Sequence, residues 1–374
     1  MEQPKPESFR RPGWNEAAIW MGMNWSGWWR LMASNRFRVS PAFWLEAAID
    51  GAFAAANSGL GLLNSAVYSR RIARTPLDGD PIFIIGHWRT GTTLLHELLA
   101  LDERLRFPTT FECFLPNHFL LTERMLKSWS SFVLPPTRPF DNMQLGWDLP
   151  QEDEFALVNL GLPSPYLTVA FPNHPPQCQD YLELDGLSPR AQRRWENTLL
   201  NFLRQLTLRR PGRILLKSPT HTFRIPTLLK LFPDARFIHL VRNPYDVFPS
   251  TLKLWRSLYA VHGYQKPTYA DLEEHVLATY CRLHDRLNST RSLIAPKRFH
   301  ELRYEDLVRD PAAQLRRIYE RLDLGSFAPV EPPLANYLAT HAGYQPNRHI
   351  LPPEVRSKVT TRWRSIIHQY GYPD

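Results

Sequence analysis

The most regular alternation of apolar and polar blocks begins at Pro81. Ile82–Ile85 is a short run of branched and aromatic residues and reads as a buried strand. A loop bounded by Gly86 and Gly91 follows, then a helix opening at Thr92. The alternation returns in the second half. Arg213–Leu216 reads as a strand, about Phe223–Leu231 as a helix and Arg236–Val241 as a strand. Asn243 caps the next helix, with Pro244 in its first turn. A long helix is expected over Tyr269–Leu293, a strand over Arg298–Leu302 and a helix over Asp310–Leu322. Ser188 caps a further helix that runs to about Leu208. Short apolar strands separated by helices predict an α/β fold, a parallel sheet covered by helices on both faces. Ligands then belong at the carboxyl ends of the strands.

Two regions lack this regularity. Residues 1–80 are aromatic and basic, with Trp14, Trp20, Trp25, Trp28, Trp29 and Trp44 beside Arg30, Arg36, Arg38, Arg70, Arg71 and Arg74. Phe43–Tyr68 looks helical and largely apolar, interrupted by Glu46, Asp50, Asn57 and Asn64. It reads either as a helical hairpin packed on the main domain or as an interfacial helix pair touching a bilayer through Trp and Arg. Residues 108–180 are rich in proline and aromatics, with turns at Pro135–Pro139 and Pro172–Pro176. A long irregular insertion of this kind commonly shapes a pocket. The expected organisation is a helical N-terminal extension (1–80), an α/β domain (81–325) with an acceptor-site insertion and helices at 108–210, and a C-terminal segment (326–374) that closes a ligand site.

Composition narrows the function classes. The chain has 374 residues, 43% hydrophobic and 22% charged, with a net charge of +9. The basic balance fits solubility or an acidic partner and does not choose between them. Three widely spaced cysteines, Cys113, Cys178 and Cys281, argue against a disulfide framework and a zinc site and fit a reducing cytoplasm. No stretch of about 18 apolar residues predicts a transmembrane helix, and the polar start predicts no signal peptide.

Three segments at strand ends carry candidate chemistry. In the first, Arg89-Thr90-Gly91-Thr92-Thr93, backbone amides, hydroxyls and a guanidinium can surround one phosphate at a helix N-terminus. The nucleotide-hydrolase form of this P-loop would place lysine after the second glycine; here Thr92 stands there. The second pairs Arg242, at the end of a strand, with Ser250 in the following helix, a fork and a hydroxyl able to grip a second anionic group. The alternative is an Arg242–Asp246 ion pair. The third is Lys217-Ser-Pro-Thr-His221, whose histidine suits proton transfer or a structural role. The acidic run Asp148–Glu154 reads as a solvated loop, or as an acceptor-side group with Glu152 as a base. His87, Trp88 and His118 either line the pocket or belong to the core.

Together these segments resemble the sulfotransferases that use 3′-phosphoadenosine 5′-phosphosulfate (PAPS), over roughly residues 81–325, and are most similar to a bacterial branch whose loop reads R-[ST]-G-T-T-L. The resemblance implies a P-loop-type sheet and in-line sulfuryl transfer to a hydroxyl or amine, with no metal required and no nucleic-acid partner. It assigns Arg89, Thr90, Gly91, Thr92 and Thr93 to the 5′-phosphosulfate and Arg242 and Ser250 to the 3′-phosphate. Arg303–Leu307 resembles the family's R-Y-E-D-L strand and implicates Tyr304 beside the adenine. Arg348 is the nearest late basic residue to close the site. Arg89 and Lys217 are expected to stabilise the leaving phosphate. His221 is the first candidate base and Glu112 its rival. A small-molecule or lipid-like hydroxyl acceptor and a cytoplasmic location, with or without membrane contact through residues 1–75, complete the expectation. Two alternatives stand beside it: a P-loop kinase or NTPase, and a non-enzymatic polyanion- or membrane-binding protein.

Overall fold

The computed structural model of the chain describes residues 19–130, 146–341 and 351–373. Five parallel strands form one sheet in the order β2-β3-β1-β4-β5, where β1 is Ile82–Ile85, β2 Leu105–Arg106, β3 Arg213–Lys217, β4 Arg236–Val241 and β5 Phe299–Arg303. The helices, in chain order, are α1 (Trp25–Ser34), α2 (Trp44–Arg74), α3 (Thr92–Leu99), α4 (Thr110–Phe114), α5 (Phe119–Ser130), α6 (Asp153–Asn159), α7 (Pro189–Arg209), α8 (Ile225–Leu231), α9 (Pro244–His262), α10 (Leu272–Thr290), α11 (Tyr304–Arg309), α12 (Pro311–Leu322), α13 (Glu331–Thr340) and α14 (Pro353–Gln369).

Side-chain alternation along the strands feeds two cores. Phe83, Ile85, Leu216 and Phe237 face Leu199, Phe202 and Leu206 of α7 and Leu228 of α8. Ile82, Ile84, Leu215 and Ile238 pack with Leu95 and Leu99 of α3 and Leu315 and Ile318 of α12. Both faces are covered, which is why the strands read as unbroken apolar runs. The strand order places β1 between β3 and β4. The turns that leave β1, β3 and β4 therefore share one edge of the fold, where a ligand crevice belongs.

Several boundaries differ from the sequence expectation. The two-residue β2 is too short to leave a periodic signature. Residues 108–180 contain the twelve-residue α5 together with α4, α6 and short 3₁₀ turns, the last three too brief for helical periodicity to register. Tyr304 is not in a strand: β5 ends at Arg303 and Tyr304 is the first residue of α11.

Three of the polar residues that interrupt α2 face the protein. Asp50, Asn57 and Asn64, spaced seven apart, are buried together with Ala47, Gly51 and Ala54. Asp50 accepts from the Tyr264 hydroxyl at 2.7 Å, and Asn57 donates to the Met21 carbonyl at 2.6 Å. A Cβ on Gly51 would lie 2.9 Å from the Trp28 ring, so the glycine sets the close approach of α1. No helix among the described residues is long and apolar enough to cross a membrane.

Candidate active site

β1 delivers the chain into a tight loop. Gly86, Arg89 and Gly91 all have positive φ (143°, 68° and 95°). A Cβ at Gly91 would lie 2.2 Å from Tyr304 Cδ2, and one at Gly86 would lie 2.6 Å from the Leu240 carbonyl oxygen. Both glycines are thus required by backbone conformation and by close approach. Thr90 Oγ1 closes the loop on the His87 carbonyl at 2.7 Å. The chain then enters α3 at the buried Thr92, where the first amide N–H groups have no intrahelical partner.

Residues far apart in sequence meet here. Arg89 Nε donates to Ser250 Oγ at 2.9 Å. Arg242 Nη1 donates to the Arg89 carbonyl at 3.2 Å, and its guanidinium carbon lies 4.5 Å from the centre of the Tyr304 ring. The structure therefore brings together Arg89, Gly91, Arg242, Ser250 and Tyr304. Arg242 turns to the loop carbonyl and the tyrosine face rather than into an ion pair with Asp246. It is buried, and its Nε has no hydrogen-bond partner among the described residues. A buried guanidinium with an unmet donor fits an anionic ligand. Arg348 lies outside the described residues.

A second constellation lies beside the first. Glu152, Asp153 and Glu154 open α6, so their side chains diverge around the helix. They meet three bases in the same order along the chain from the end of β3 onward. Glu152 Oε1 accepts from Lys217 Nζ at 2.7 Å, and its Oε2 accepts from the Tyr166 hydroxyl at 2.7 Å. Tyr166 in turn accepts from Trp88 Nε1 at 2.7 Å. Asp153 Oδ2 lies 2.8 Å from His221 Nε2. Glu154 binds Arg224, accepts from Ser164 Oγ at 2.6 Å and accepts from Thr220 Oγ1 at 3.0 Å. The solvated-loop reading of this run is overturned for residues 152–154. Asp153 and Glu154 are wholly buried, and Glu152 alone keeps 14% side-chain exposure. Lys217 also lies 3.5 Å from Thr93 Oγ1, so one cation stands between the loop and Glu152.

Two expected bases sit elsewhere. His221 is fully buried, with its ring edge on Phe83 at 5.2 Å and Asp153 on Nε2. That is a core position, with the ring nitrogen nearest the row committed to Asp153. Glu112 is also buried: it completes a capping box with Thr109 and pairs with Arg106, so both carboxylate oxygens are engaged. His118 is held by Asn57 and Thr122 under α2, away from the loop.

The known proteins that this chain resembles agree with one another. The sequence profile described as Sulfotransferase family matches residues 81–329. The omega-hydroxy-beta-dihydromenaquinone-9 sulfotransferase Stf3 of Mycobacterium bovis is 48% identical over 367 residues, spanning 98% of this chain and 94% of that protein. The protein of the same name from Mycobacterium tuberculosis matches equally. This chain belongs to the sulfotransferase family. The kinase and non-enzymatic alternatives fall with that assignment. Among solved structures, sulfotransferase STF9 from Mycobacterium avium has a TM-score of 0.69 at 23% identity, covering 93% of this chain and 92% of its own. STF1 from Mycobacterium tuberculosis has a TM-score of 0.59 at 18% identity, covering 92% and 94%. Both share the fold.

Burial governs the electrostatics of this sulfotransferase. It pushes the Tyr166 hydroxyl far above its ordinary range, with the Glu152 carboxylate adding to the effect, so Tyr166 stays a neutral donor. Burial would also raise Glu154, but the Arg224 guanidinium outweighs it and holds the carboxyl below its usual value. Glu112 is raised by burial in spite of Arg106. Burial lowers the His87 imidazole to about 4; its Nδ1 is 2.9 Å from the Trp88 carbonyl and its ring is 4.9 Å from that of Tyr280. His87 is therefore a neutral part of the core. Tyr166 carries no sequence signal for its place here; only the folded insertion puts its hydroxyl on Glu152.

Proposed function

We propose that the sulfuryl donor is PAPS, that Glu152 is the general base, and that the acceptor is the hydroxyl of a lipid quinone of the menaquinone class. The observation that carries the donor reading is the junction of Arg89, Ser250 and Arg242, with an unmet donor on Arg242. The glycine loop and the start of α3 suit the 5′-phosphosulfate; Arg242 and Ser250 suit the 3′-phosphate, with Tyr304 beside the base. The donor supplies a sulfuryl group joined to phosphate through an anhydride oxygen. The planar guanidinium fork of Arg89 suits stabilisation of negative charge at the loop. Lys217, in contact with Thr93 and Glu152, holds a second positive charge at the same place.

Glu152 suits the base role because it is the one carboxylate of its row at the rim, and its Lys217 and Tyr166 partners fix its orientation. The acceptor class follows from the relatives named for a hydroxylated dihydromenaquinone, which match nearly the whole chain. Calorimetry tests the donor. Tight, magnesium-independent binding of 3′,5′-adenosine bisphosphate, lost in Arg242→Ala, is expected. Binding that survives this substitution unchanged refutes the assignment. Labelled donor offered to hydroxylated quinones, sugars and phenols then tests the acceptor, and transfer confined to sugars or phenols overturns it.

A further inference from the structure

The exposed side of α2 is apolar where a soluble helix would be charged. Its polar residues, Asp50, Asn57 and Asn64, are buried against the protein. Facing outward are Trp44, Leu45, Phe53, Leu62, Leu63 and Val67, of which Leu62 is 74% exposed. From Trp44 to Ser69 the exposed residues include no charged side chain: Asp50 is buried and Glu46 half-buried. This uncharged face runs for roughly 35 Å at the helical rise. At the N-terminal half of the pair, Trp25 and Trp29 are both about half exposed and stack at 6.0 Å, and the Trp25 amide is tied to Ser58 Oγ of α2 at 2.8 Å. At the far end Arg70, Arg71 and Arg74 are all exposed.

We infer that α1 and α2 form a membrane-docking surface, and that its occupant is the headgroup and upper acyl region of a bilayer carrying anionic phospholipid. This deepens the lipid-acceptor reading above and rests on it. A long uncharged face with Trp at one end and a cluster of arginines at the other has the chemistry of an interfacial helix. Indole rings settle at headgroup depth, and arginines meet lipid phosphates. A helix this apolar on one side does not insert across the membrane, because the opposite side is bonded to the protein through Asp50 and Asn57. A second copy of the chain is a poorer occupant. The exposed part of the face offers no carboxylate to answer a partner's arginines. The surface brings the enzyme to the phase in which an apolar acceptor is dissolved.

Vesicle co-sedimentation of the full chain tests this. The wild type should pellet with vesicles of mixed phosphatidylcholine and phosphatidylglycerol, and less with phosphatidylcholine alone. Leu45→Gln, Phe53→Gln, Leu62→Gln and Leu63→Gln combined should weaken binding to both by about tenfold or more. Arg70→Gln, Arg71→Gln and Arg74→Gln combined should remove the preference for anionic lipid. Both variants should retain 3′,5′-adenosine bisphosphate binding and turnover with a water-soluble short-chain alcohol, which shows that they fold. A wild type that stays in the supernatant, or a fourfold variant that pellets like it, overturns the proposal. If the wild type is a dimer that the fourfold variant dissociates while neither binds vesicles, the face belongs to a second copy instead. Vesicle binding without sulfuryl transfer to any lipid alcohol refutes the acceptor reading and leaves the docking surface standing.

Discussion

The two charged clusters beside β1 differ in how their cations are answered. On one side Arg89 and Arg242 meet a hydroxyl, a carbonyl and an aromatic face. On the other, Lys217, His221 and Arg224 each meet one carboxylate of the row Glu152–Glu154. Burying a charge is costly unless it is paired. Each cation of the row therefore has a carboxylate to answer its charge, although Asp153 Oδ1 and His221 Nδ1 lack a hydrogen-bond partner among the described residues. Buried Arg242, by contrast, has an unmet Nε donor and faces no carboxylate among those residues. The contrast is one of charge: carboxylates answer the cations of one cluster, whereas in the other Arg242 meets a carbonyl and an aromatic face. Glu152 alone in the row combines two conditions, being ion-paired and still partly open to the rim.

The largest effect is expected at that residue. Glu152→Gln keeps the size and hydrogen-bonding capacity but cannot take a proton. It should lower kcat by about 10²–10⁴-fold, leaving 3′,5′-adenosine bisphosphate affinity nearly unchanged. Single-turnover kinetics beside calorimetry checks this, and retained turnover moves the base elsewhere. Next comes His221→Ala, which strands Asp153 in the core. It should cost about 3–5 kcal/mol of stability in urea unfolding, with activity per folded molecule largely preserved. A variant as stable as wild type but inactive would reverse the assignment and return the base role to residue 221.

The third effect is a pH dependence shared by buried imidazoles. Burial depresses His87, His118 and His262 from 6.5 to about 4 in the folded protein. Between these values the unfolded chain binds more protons, so stability rises with pH. It is full above about pH 6.5 and is lost as pH falls toward 4, each residue contributing about 2 kcal/mol of the loss by pH 5. Unfolding midpoints measured across this range should fall accordingly, and His118→Gln should flatten the slope by no more than about a quarter, since burial also depresses His284, His275 and His300. The smallest effect is at the exposed end of the acidic run. Asp148 is 82% exposed and pairs with Lys127. Asp148→Asn should change stability by less than about 1 kcal/mol, in contrast to its buried neighbours.

Much of the scaffold was legible in the sequence because local signals and tertiary burial agree there. Ile82–Ile85 and Arg236–Val241 are strands with the expected limits, and Ser188 and Asn243 cap the helices they announce. The loop, the Arg242–Ser250 spacing and Tyr304 could be gathered by motif before any geometry was known. What could not be read was pairing. Three consecutive carboxylates look alike in a sequence, and only the start of α6 decides that 152 reaches the rim while 153 and 154 go inward. The partner of the lysine–histidine segment was hidden for the same reason, since Asp153, which meets His221, lies 68 residues from it. In α2 the polar residues registered only as interruptions of an apolar run, and the tertiary hydrogen bonds that hold Asp50 and Asn57 inside leave no local signal.

The contact between Arg89 and Ser250 joins residues 161 positions apart, and Gly91 is roofed by Tyr304 from still further along the chain. No fragment that ends before β5 can contain the complete anion site. If the proposed donor site is right, affinity for the bisphosphate should arise during folding only when β1, β4 and the start of α11 have docked. A bisphosphate ligand should stabilise the finished molecule alone, by mass action, and would report on completion of the sheet more stringently than helix content does.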